Sequence, residues 1–364
     1  MTDLEQARIS INKIDQEMAR LFEERMKAAT VIAEYKKANG LSVKDTKREE
    51  ELIEKNKTYI QNKTFESYYS HFIRKVINLS CDYQTFCMSG LKVAYSGVEG
   101  AFAHIAAKQM FPSAKLISYP DFKSAYKSAE SGECDCAVLP FENSFAGEVG
   151  PVMDLSFNGN LFINQVLNVA VVQNLLGIKG TDISKIKKVV SHPQALEQCA
   201  DFIQKHGFEA EPFSNTAAAA KYIKELNDPS VAAIASDETA KIFDLNLLES
   251  RINTSTSNTT RFGAFTPVKN IPSASKNPED VRFILMFTVK NEAGSLTRPL
   301  NIIGENGFNL VSLRSRPMKN LNWNYYFYVE VEGSPASENG KKMLAELETV
   351  CQKLKILGSF FTSK

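Results

Sequence analysis

Structure breakers are scarce in the first third of this sequence. No proline precedes Pro112, and before Gly97 glycine occurs only at Gly40 and Gly90. So long a stretch without breakers excludes a β-rich or loop-rich start and predicts helices. An excess of charge of either sign is also missing: 43 Lys and Arg stand against 42 Asp and Glu, a net charge of +1 over 364 residues. That balance gives no electrostatic reason to expect nucleic acid or an anionic membrane as partner. No apolar run is long enough to span a bilayer. The acidic, amphipathic start MTDLEQARIS does not have the pattern of a secretory signal. Histidine is limited to four residues, and the six cysteines (Cys81, Cys87, Cys134, Cys136, Cys199, Cys351) form no CxxC pair, so no metal site is expected. ECDCAVLPF reads as a buried strand, which makes Cys134 and Cys136 core thiols rather than a redox pair. Free thiols suit a reducing compartment, and a cytoplasmic protein is expected.

What is present divides the chain in three. Residues 1–88 read as helices. From Lys92 onward apolar β-rich runs alternate with helical patterns, the look of an α/β domain over residues 91–267. TPVKNIPSASKNPED, Thr266 to Asp280, is polar and rich in Pro, Ser and Asn, and reads as a linker. Beyond it, residues 281–361 read as a small α+β unit of order βαββα, with its sheet on one side and helices on the other.

The first helix is predicted from about Leu4 to Lys37, roughly 50 Å at 1.5 Å per residue. A domain of this size cannot enclose such a rod, so its apolar stripe (Leu4, Ala7, Ile11, Ile14, Met18, Leu21, Ala28, Ile32) must be covered by later helices or by a second copy of the chain. Arg25 stands in that stripe where the pattern asks for leucine. Lys36 lies eleven residues on, on almost the same face, and Arg8 near the start. Gly40 is expected to end this helix and a second to begin around Asp45. There Asp45, Arg48 and Glu49 fall on one face, and Ser80 and Gln84 share a face of a third helix. Four long cationic side chains with Ser and Gln donors suit a small dianion. Arg8 and Arg25 are seventeen residues apart, about 25 Å along a helix, so they cannot clamp one metabolite within one chain. An antiparallel pair of such helices brings Arg8 of one copy to Arg25 of the other, and a homodimer or higher homo-oligomer with shared sites is expected.

Residues 1–88 resemble the all-helical chorismate mutase family. The matches are R-x-x-I-x-x-I-D (Arg8 to Asp15), E-E-R (Glu23 to Arg25), Lys36, D-x-x-R-E (Asp45 to Glu49) and S-x-x-x-Q (Ser80, Gln84). The resemblance implies rearrangement of chorismate to prephenate, a unimolecular step that needs a held conformer and charge complementarity to its transition state. On it, Arg25 and the other copy's Arg8 clamp the two carboxylates. Lys36 and Gln84 donate to the ether oxygen, Glu49 accepts from the ring hydroxyl, and Asp45, Arg48 and Ser80 complete the shell.

Over about Leu91 to Pro267, polar residues cluster where strands run into helices, the place where open α/β sheets bind ligands. Ser191, His192 and Pro193 show it clearly. These clusters resemble the prephenate dehydratase family: A-Y-S-G-x-x-G-x-x-x-H (Ala94 to His104), P-F-E-N-S-x-x-G-x-V (Pro140 to Val149), S-H-P-Q-A-L-x-Q-C (Ser191 to Cys199), N-T-A-x-A-A (Asn215 to Ala220), A-A-I-A-S (Ala232 to Ser236) and N-x-T-R-F (Asn258 to Phe262). The resemblance implies two α/β lobes around a cleft, like periplasmic binding proteins, and loss of carbon dioxide and water from prephenate to give phenylpyruvate. Thr260 would donate a hydrogen bond to the departing oxygen, Arg261 clamp a carboxylate and Phe262 shape the ring pocket, with Asn143, Ser144, Ser191 and Thr216 as binding donors. Asn164 and Gln173 stand where many relatives carry Glu and His. The last unit resembles the ACT family, ferredoxin-like domains that bind amino acids at paired interfaces. Gly294, Ser295 and Leu296 match its G-A-L type motif, and Ser315, Arg316 and Pro317 the tail of E-S-R-P, with Arg314 in place of Glu. Phenylalanine is the effector implied. No metal and no organic cofactor is implied anywhere in the chain.

The Met1–Met88 fragment alone is expected to dimerise and to convert chorismate to prephenate; a monomeric, fully active fragment would remove the shared-site reading.

Overall fold

A computed structural model describes residues 2–39, 41–254, 257–270, 280–318 and 324–362. Gly40 and 271–279, the bulk of the expected linker, lie outside the described residues. The chain divides into two compact units, Met1–Lys92 and Val93–Lys364.

In the first unit, one helix runs Asp3–Ala38, 36 residues. A capping box starts it: the Thr2 side chain accepts from the Glu5 amide, and the Glu5 carboxylate accepts from the Thr2 amide. The helix ends at Asn39, whose side chain donates to Tyr35 O. Thr46–Lys57 follows, its start capped by the Asp45 carboxylate on the Arg48 amide at 3.1 Å. Glu66–Ser89 packs on the second half of the long helix, where Ala29 and Ala33 are buried and Thr30 Oγ1 lies 3.3 Å from Tyr83 OH. The first half is bare: Leu4, Ile11, Ile14, Met18 and Leu21 are all exposed.

The second unit holds two sheets. The smaller runs Asn246–Glu249, Asn174–Gly177, Val231–Ala235, Lys188–Ser191, Glu209–Pro212, and is parallel among the last three. It forms one lobe. The larger has ten strands; its main path is Leu310–Pro317, Tyr325–Glu332, Val281–Thr288, Lys353–Phe361, Phe162–Ala170, Thr259–Thr266, Cys136–Asn143, Lys92–Ser96, Lys115–Tyr119, with Gly147–Glu148 paired to Cys136–Asn143. The chain leaves this sheet after Phe162–Ala170, builds the smaller lobe, and returns as Thr259–Thr266 between Phe162–Ala170 and Cys136–Asn143. The stretch HPQALEQCADFIQKHG forms two helices, Pro193–Gln198 and Ala200–His206, that meet at Cys199. ENSFAGEV turns through a hairpin before the helix Gly150–Asn158.

The C-terminal unit corrects the expected βαββα order. A fourth strand, Lys353–Phe361, follows the helix Glu338–Val350, giving βαββαβ with four antiparallel strands. Its first residues, KLKIL, are good helix formers locally, but pairing with Val281–Thr288 decides their state. This strand also joins the two parts of the sheet, with Gly358 opposite Ile163. Its lysines cap the helix Gly150–Asn158: Lys355 Nζ donates to Ser156 O and Gly159 O at 2.6 Å each, and Lys353 Nζ to Phe157 O at 3.0 Å. One hydrophobic core runs through the join, with Ile284, Met286, Tyr328 and Phe360 packed among Phe141, Met153 and Phe157, and Tyr326 stacked on Phe157 at 4.3 Å.

A Cβ on Gly358 would sit 2.0 Å from the Ile163 carbonyl oxygen. Because that atom is backbone and cannot rotate aside, Gly358→Ala is expected to cost about 3 kcal/mol, read as a lower denaturation midpoint.

Candidate active sites

The N-terminal unit encloses a cavity of about 640 Å³ lined by Arg25, Lys36, Asp45, Arg48, Glu49, Ser80 and Gln84. Every polar residue expected there from one chain is present. Arg8 is exposed and does not line it, as the 25 Å along the helix requires. Arg25 is half-buried, donates to Val76 O at 3.3 Å, and has no carboxylate partner among the described residues. Burial lowers its pKa from the ordinary arginine value, a sign that its charge is poorly compensated. Lys36 Nζ is held by Val43 O at 2.5 Å, and Ser80 Oγ donates to Val76 O at 3.0 Å. The two carboxylates are otherwise engaged: Asp45 caps its helix, and Glu49 lies 3.7 Å from the Cys81 thiol. Burial first, and Glu49 after it, push that thiol up. The buried Gln84 amide has an oxygen without a partner, a costly state that a polar ligand would relieve. The other walls are apolar, among them Ile32, Leu52 and Ile77. Cys81, which the sequence did not single out, also lines the cavity, next in the chain to Ser80.

A second cavity, about 180 Å³, lies between the two lobes and is lined by Phe102, Asn143, Gln173, His192, Gln194, Gln198, Asn215, Thr216 and Thr260 among others. Strand pairing sets Thr260 opposite Asn143. The Asn143 carbonyl accepts from the Phe145 and Ala146 amides at 2.9 and 2.8 Å, which fixes which way the amide faces. Its NH2 group therefore donates to Thr260 Oγ1 at 2.9 Å and to Asn258 Oδ1 at 2.8 Å. With its oxygen already accepting, the Thr260 hydroxyl keeps its proton for the cavity. His192 caps the helix Pro193–Gln198, its Nδ1 accepting from the Gln194 amide at 3.3 Å. Burial lowers its pKa, so near neutral pH it is an uncharged imidazole with the proton on Nε2. Thr216 opens the helix Thr216–Leu226, which Asn215 caps. The lobes also touch directly, where Thr239 Oγ1 donates to Gly100 O at 2.9 Å.

Four of the expected residues in this cleft have other roles. Ser191 is buried and donates to Ile234 O at 2.6 Å, tying adjacent strands together. Ser144 accepts from the Thr259 amide and donates to Ser257 O, fixing the start of the returning strand. Phe262 is packed in the interior and is not among the cavity's walls. Arg261 is no carboxylate clamp in the cleft: it points to the opposite face from Thr260, as strand alternation demands, and meets Glu142 at 2.7 Å and Glu330 at 2.6 Å. Burial opposes its charge, but the two carboxylates more than offset this and raise its pKa. Of the two positions that depart from relatives, Gln173 lines the cavity with an unpartnered amide oxygen. Asn164 bonds Thr266, Val268 and Asn270 elsewhere.

In the C-terminal unit, Gly294, with φ of 79°, Ser295 and Leu296 lead into the helix Thr297–Glu305. Ser315 and Pro317 are exposed on the outermost strand. Arg316 between them is already taken: it pairs with Asp154 at 3.1 Å and Glu148 at 3.5 Å. Arg314 turns the same way, 3.6 Å from Glu142 and 3.8 Å from Glu148. Among the described residues no cluster of three metal-ligating side chains occurs, and no helix is long and apolar enough to cross a membrane.

Residues 93–270 match the family described as prephenate dehydratase, and residues 7–85 that described as chorismate mutase type II. A bifunctional chorismate mutase/prephenate dehydratase of Aquifex aeolicus (strain VF5) is 31% identical over 370 residues, 99% of this chain and 98% of its own. Among solved structures, the prephenate dehydratase of Arthrobacter aurescens in complex with L-Phe superposes with a TM-score of 0.68 at 26% identity, over 74% of this chain and 90% of that one. GqqA, described as a novel type of quorum quenching acylase, also has a TM-score of 0.68, at 27% identity over 75% of this chain and 98% of its own.

A desolvated guanidinium without a counter-charge is held at the expense of stability. Arg25→Met is therefore expected to stabilise the helical unit by about 1 kcal/mol, raising its Tm, while lowering turnover at its cavity by at least ~10²-fold.

Proposed function

Since this chain belongs to the family of bifunctional chorismate mutase/prephenate dehydratases, we propose that its two cavities divide the work, chorismate rearranging in the N-terminal one and prephenate losing carbon dioxide and water in the cleft at Thr260. The protein is an enzyme of phenylalanine biosynthesis that makes prephenate and then phenylpyruvate.

The first reaction transfers no proton and forms no bond to the protein, so placed charge is its means of catalysis. Arg25, Lys36 and Arg48 supply it around an apolar-walled space. Arg25 takes one carboxylate and Lys36 faces the ether oxygen, where negative charge grows as the bond breaks. Gln84 donates to the same oxygen through its amide nitrogen, and Glu49 accepts from the ring hydroxyl. The second carboxylate falls to Arg8 of another copy. The uncovered apolar half of the long helix, which begins at Asp3 and carries Arg8, supports that two-chain arrangement.

In the second reaction the ring carboxylate leaves as carbon dioxide, its electron pair flows through the ring, and the hydroxyl opposite is expelled with that pair, taking one proton from solvent to become water. The hydrogen bond from Asn143 to Thr260 carries the reading. It orients the threonine as a donor toward the departing oxygen and strengthens that donor by polarising it. His192 Nε2–H, Thr216 and Gln173 are the binding groups on the opposite lobe. No metal or cofactor enters either step. The βαββαβ order of the C-terminal unit supports a ferredoxin-like ACT domain, and the L-Phe complex of the Arthrobacter relative supports phenylalanine as effector. Gly294 to Leu296 and the exposed Ser315 and Pro317 are its candidate contacts, Arg316 being occupied.

Thr260→Ala is expected to cut phenylpyruvate formation by on the order of 10²–10³-fold, with prephenate accumulating from chorismate at the wild-type rate. Equal loss of both activities would defeat the division of labour.

A further inference from the structure

Arg261 follows Thr260 in the chain but serves the other face of the sheet. Its guanidinium meets Glu142 Oε2 at 2.7 Å from one side and both Glu330 oxygens, at 2.6 and 3.0 Å, from the other. Phe141 and Phe360 flank it, with ring centroids at 5.0 and 5.9 Å. Glu142 precedes Asn143, so the pair Arg261–Glu142 stands directly beside the pair Thr260–Asn143 in the strand register. The next pairing skips a residue: Phe262 faces Pro140, which leaves Phe141 as the extra residue of a bulge. Bulges re-aim side chains and are local points of give in a ladder.

Glu330 comes from a different part of the molecule. It lies on the strand Tyr325–Glu332 of the C-terminal unit, its side chain is 1% exposed, and it also meets Arg282 at 3.3 Å. A buried carboxylate in a fork with arginine has strict geometry. Any displacement of the strand Tyr325–Glu332 relative to the first lobe must therefore stretch this contact or drag Arg261 with it. Arg261 cannot move without moving the backbone that it shares with Thr260.

We propose that Arg261 is a positioning residue for the dehydration, and that Glu330 sets it, so that the state of the C-terminal unit reaches the Thr260–Asn143 hydrogen bond through this buried ion pair. The effector part of this rests on the reading of that unit as a phenylalanine-binding domain; the positioning part does not. With the pair formed, Thr260 and Asn143 are aligned; with it broken, the bulge relaxes and the donor is misaimed. Small misplacements of a reacting group cost large factors in rate while leaving binding nearly intact.

The test is Glu330→Gln in the full-length enzyme, assayed with prephenate and with chorismate, with and without phenylalanine, and with phenylalanine binding measured by calorimetry. The expected result is a dehydratase kcat lowered about tenfold with KM within twofold, and chorismate turnover unchanged. Phenylalanine should bind with a Kd within threefold of wild type yet inhibit the remaining dehydratase activity less than twofold, because the substitution already imposes the misaligned state. Glu330→Asp, which keeps the charge, should recover part of kcat. Should Glu330→Gln fail to fold, Glu142→Gln carries the same expectation from the other end of the pair. An unchanged kcat with normal inhibition overturns the proposal, as does loss of phenylalanine binding together with inhibition, which would make Glu330 part of the effector site. A wild-type enzyme that does not respond to phenylalanine overturns the effector reading, and the kcat against KM result then decides the positioning role by itself.

Discussion

The returning strand Thr259–Thr266 is paired on both edges, to Cys136–Asn143 and to Phe162–Ala170. That double pairing governs the cleft. The strand is the chain's second crossing between the lobes, so it ties their relative position to the register of one sheet. It also leaves the Thr260 side chain little freedom, since the residues opposite it, Asn143 and Val169, belong to strands fixed by their own ladders. The Asn143 amide is itself pinned by two backbone donors. A hydroxyl in such a frame does not have to be ordered when substrate arrives, and preorganisation of this kind is where polar catalysis gains most of its effect.

The N-terminal unit solves a different problem. Its reaction asks for charge held in place, and the cost appears as a guanidinium in partly dry surroundings with only a carbonyl to meet it. Where the cleft uses ladders for rigidity, this unit uses three helices whose alanines, Ala29 and Ala33, allow close approach beside the cavity. The half of the long helix that carries Arg8 has no cover in one chain; in the proposed two-chain arrangement one event, the arrival of a second long helix, completes both the fold and the site.

The polar set Arg25, Lys36, Asp45, Arg48, Glu49, Ser80 and Gln84 was legible in the sequence because helical periodicity is local: spacing alone states which residues share a face. The cleft was only half legible. Motifs named the neighbourhood of Asn143, Thr216 and Thr260, but not which member of each motif turns inward. For T-R-F the missing step was available, since adjacent strand residues face opposite ways and Arg261 could not share a cavity with Thr260. Ser191 offers no such signal; its bond to Ile234 O depends on a strand more than forty residues away in the chain. The same is true of Lys353–Phe361, whose first residues KLKIL are good helix formers and whose partners, Val281–Thr288 and Ile163, are distant in the chain. Arg314 and Arg316 were read as effector contacts or their departures, and the carboxylates that claim them, Glu142, Glu148 and Asp154, belong to another domain of the chain.

The seam at Gly358 and Ile163 makes the C-terminal unit something other than an appendage. Removing it would take Gly358 from beside Ile163 and would uncover Phe141, Met153 and Phe157, which share a core with its Ile284, Met286 and Phe360. Apolar patches exposed in that way invite association with other chains. A chain cut short of this unit would thus lose part of the core that backs the cleft, so deletion cannot separate the unit's proposed role in control from its role in folding.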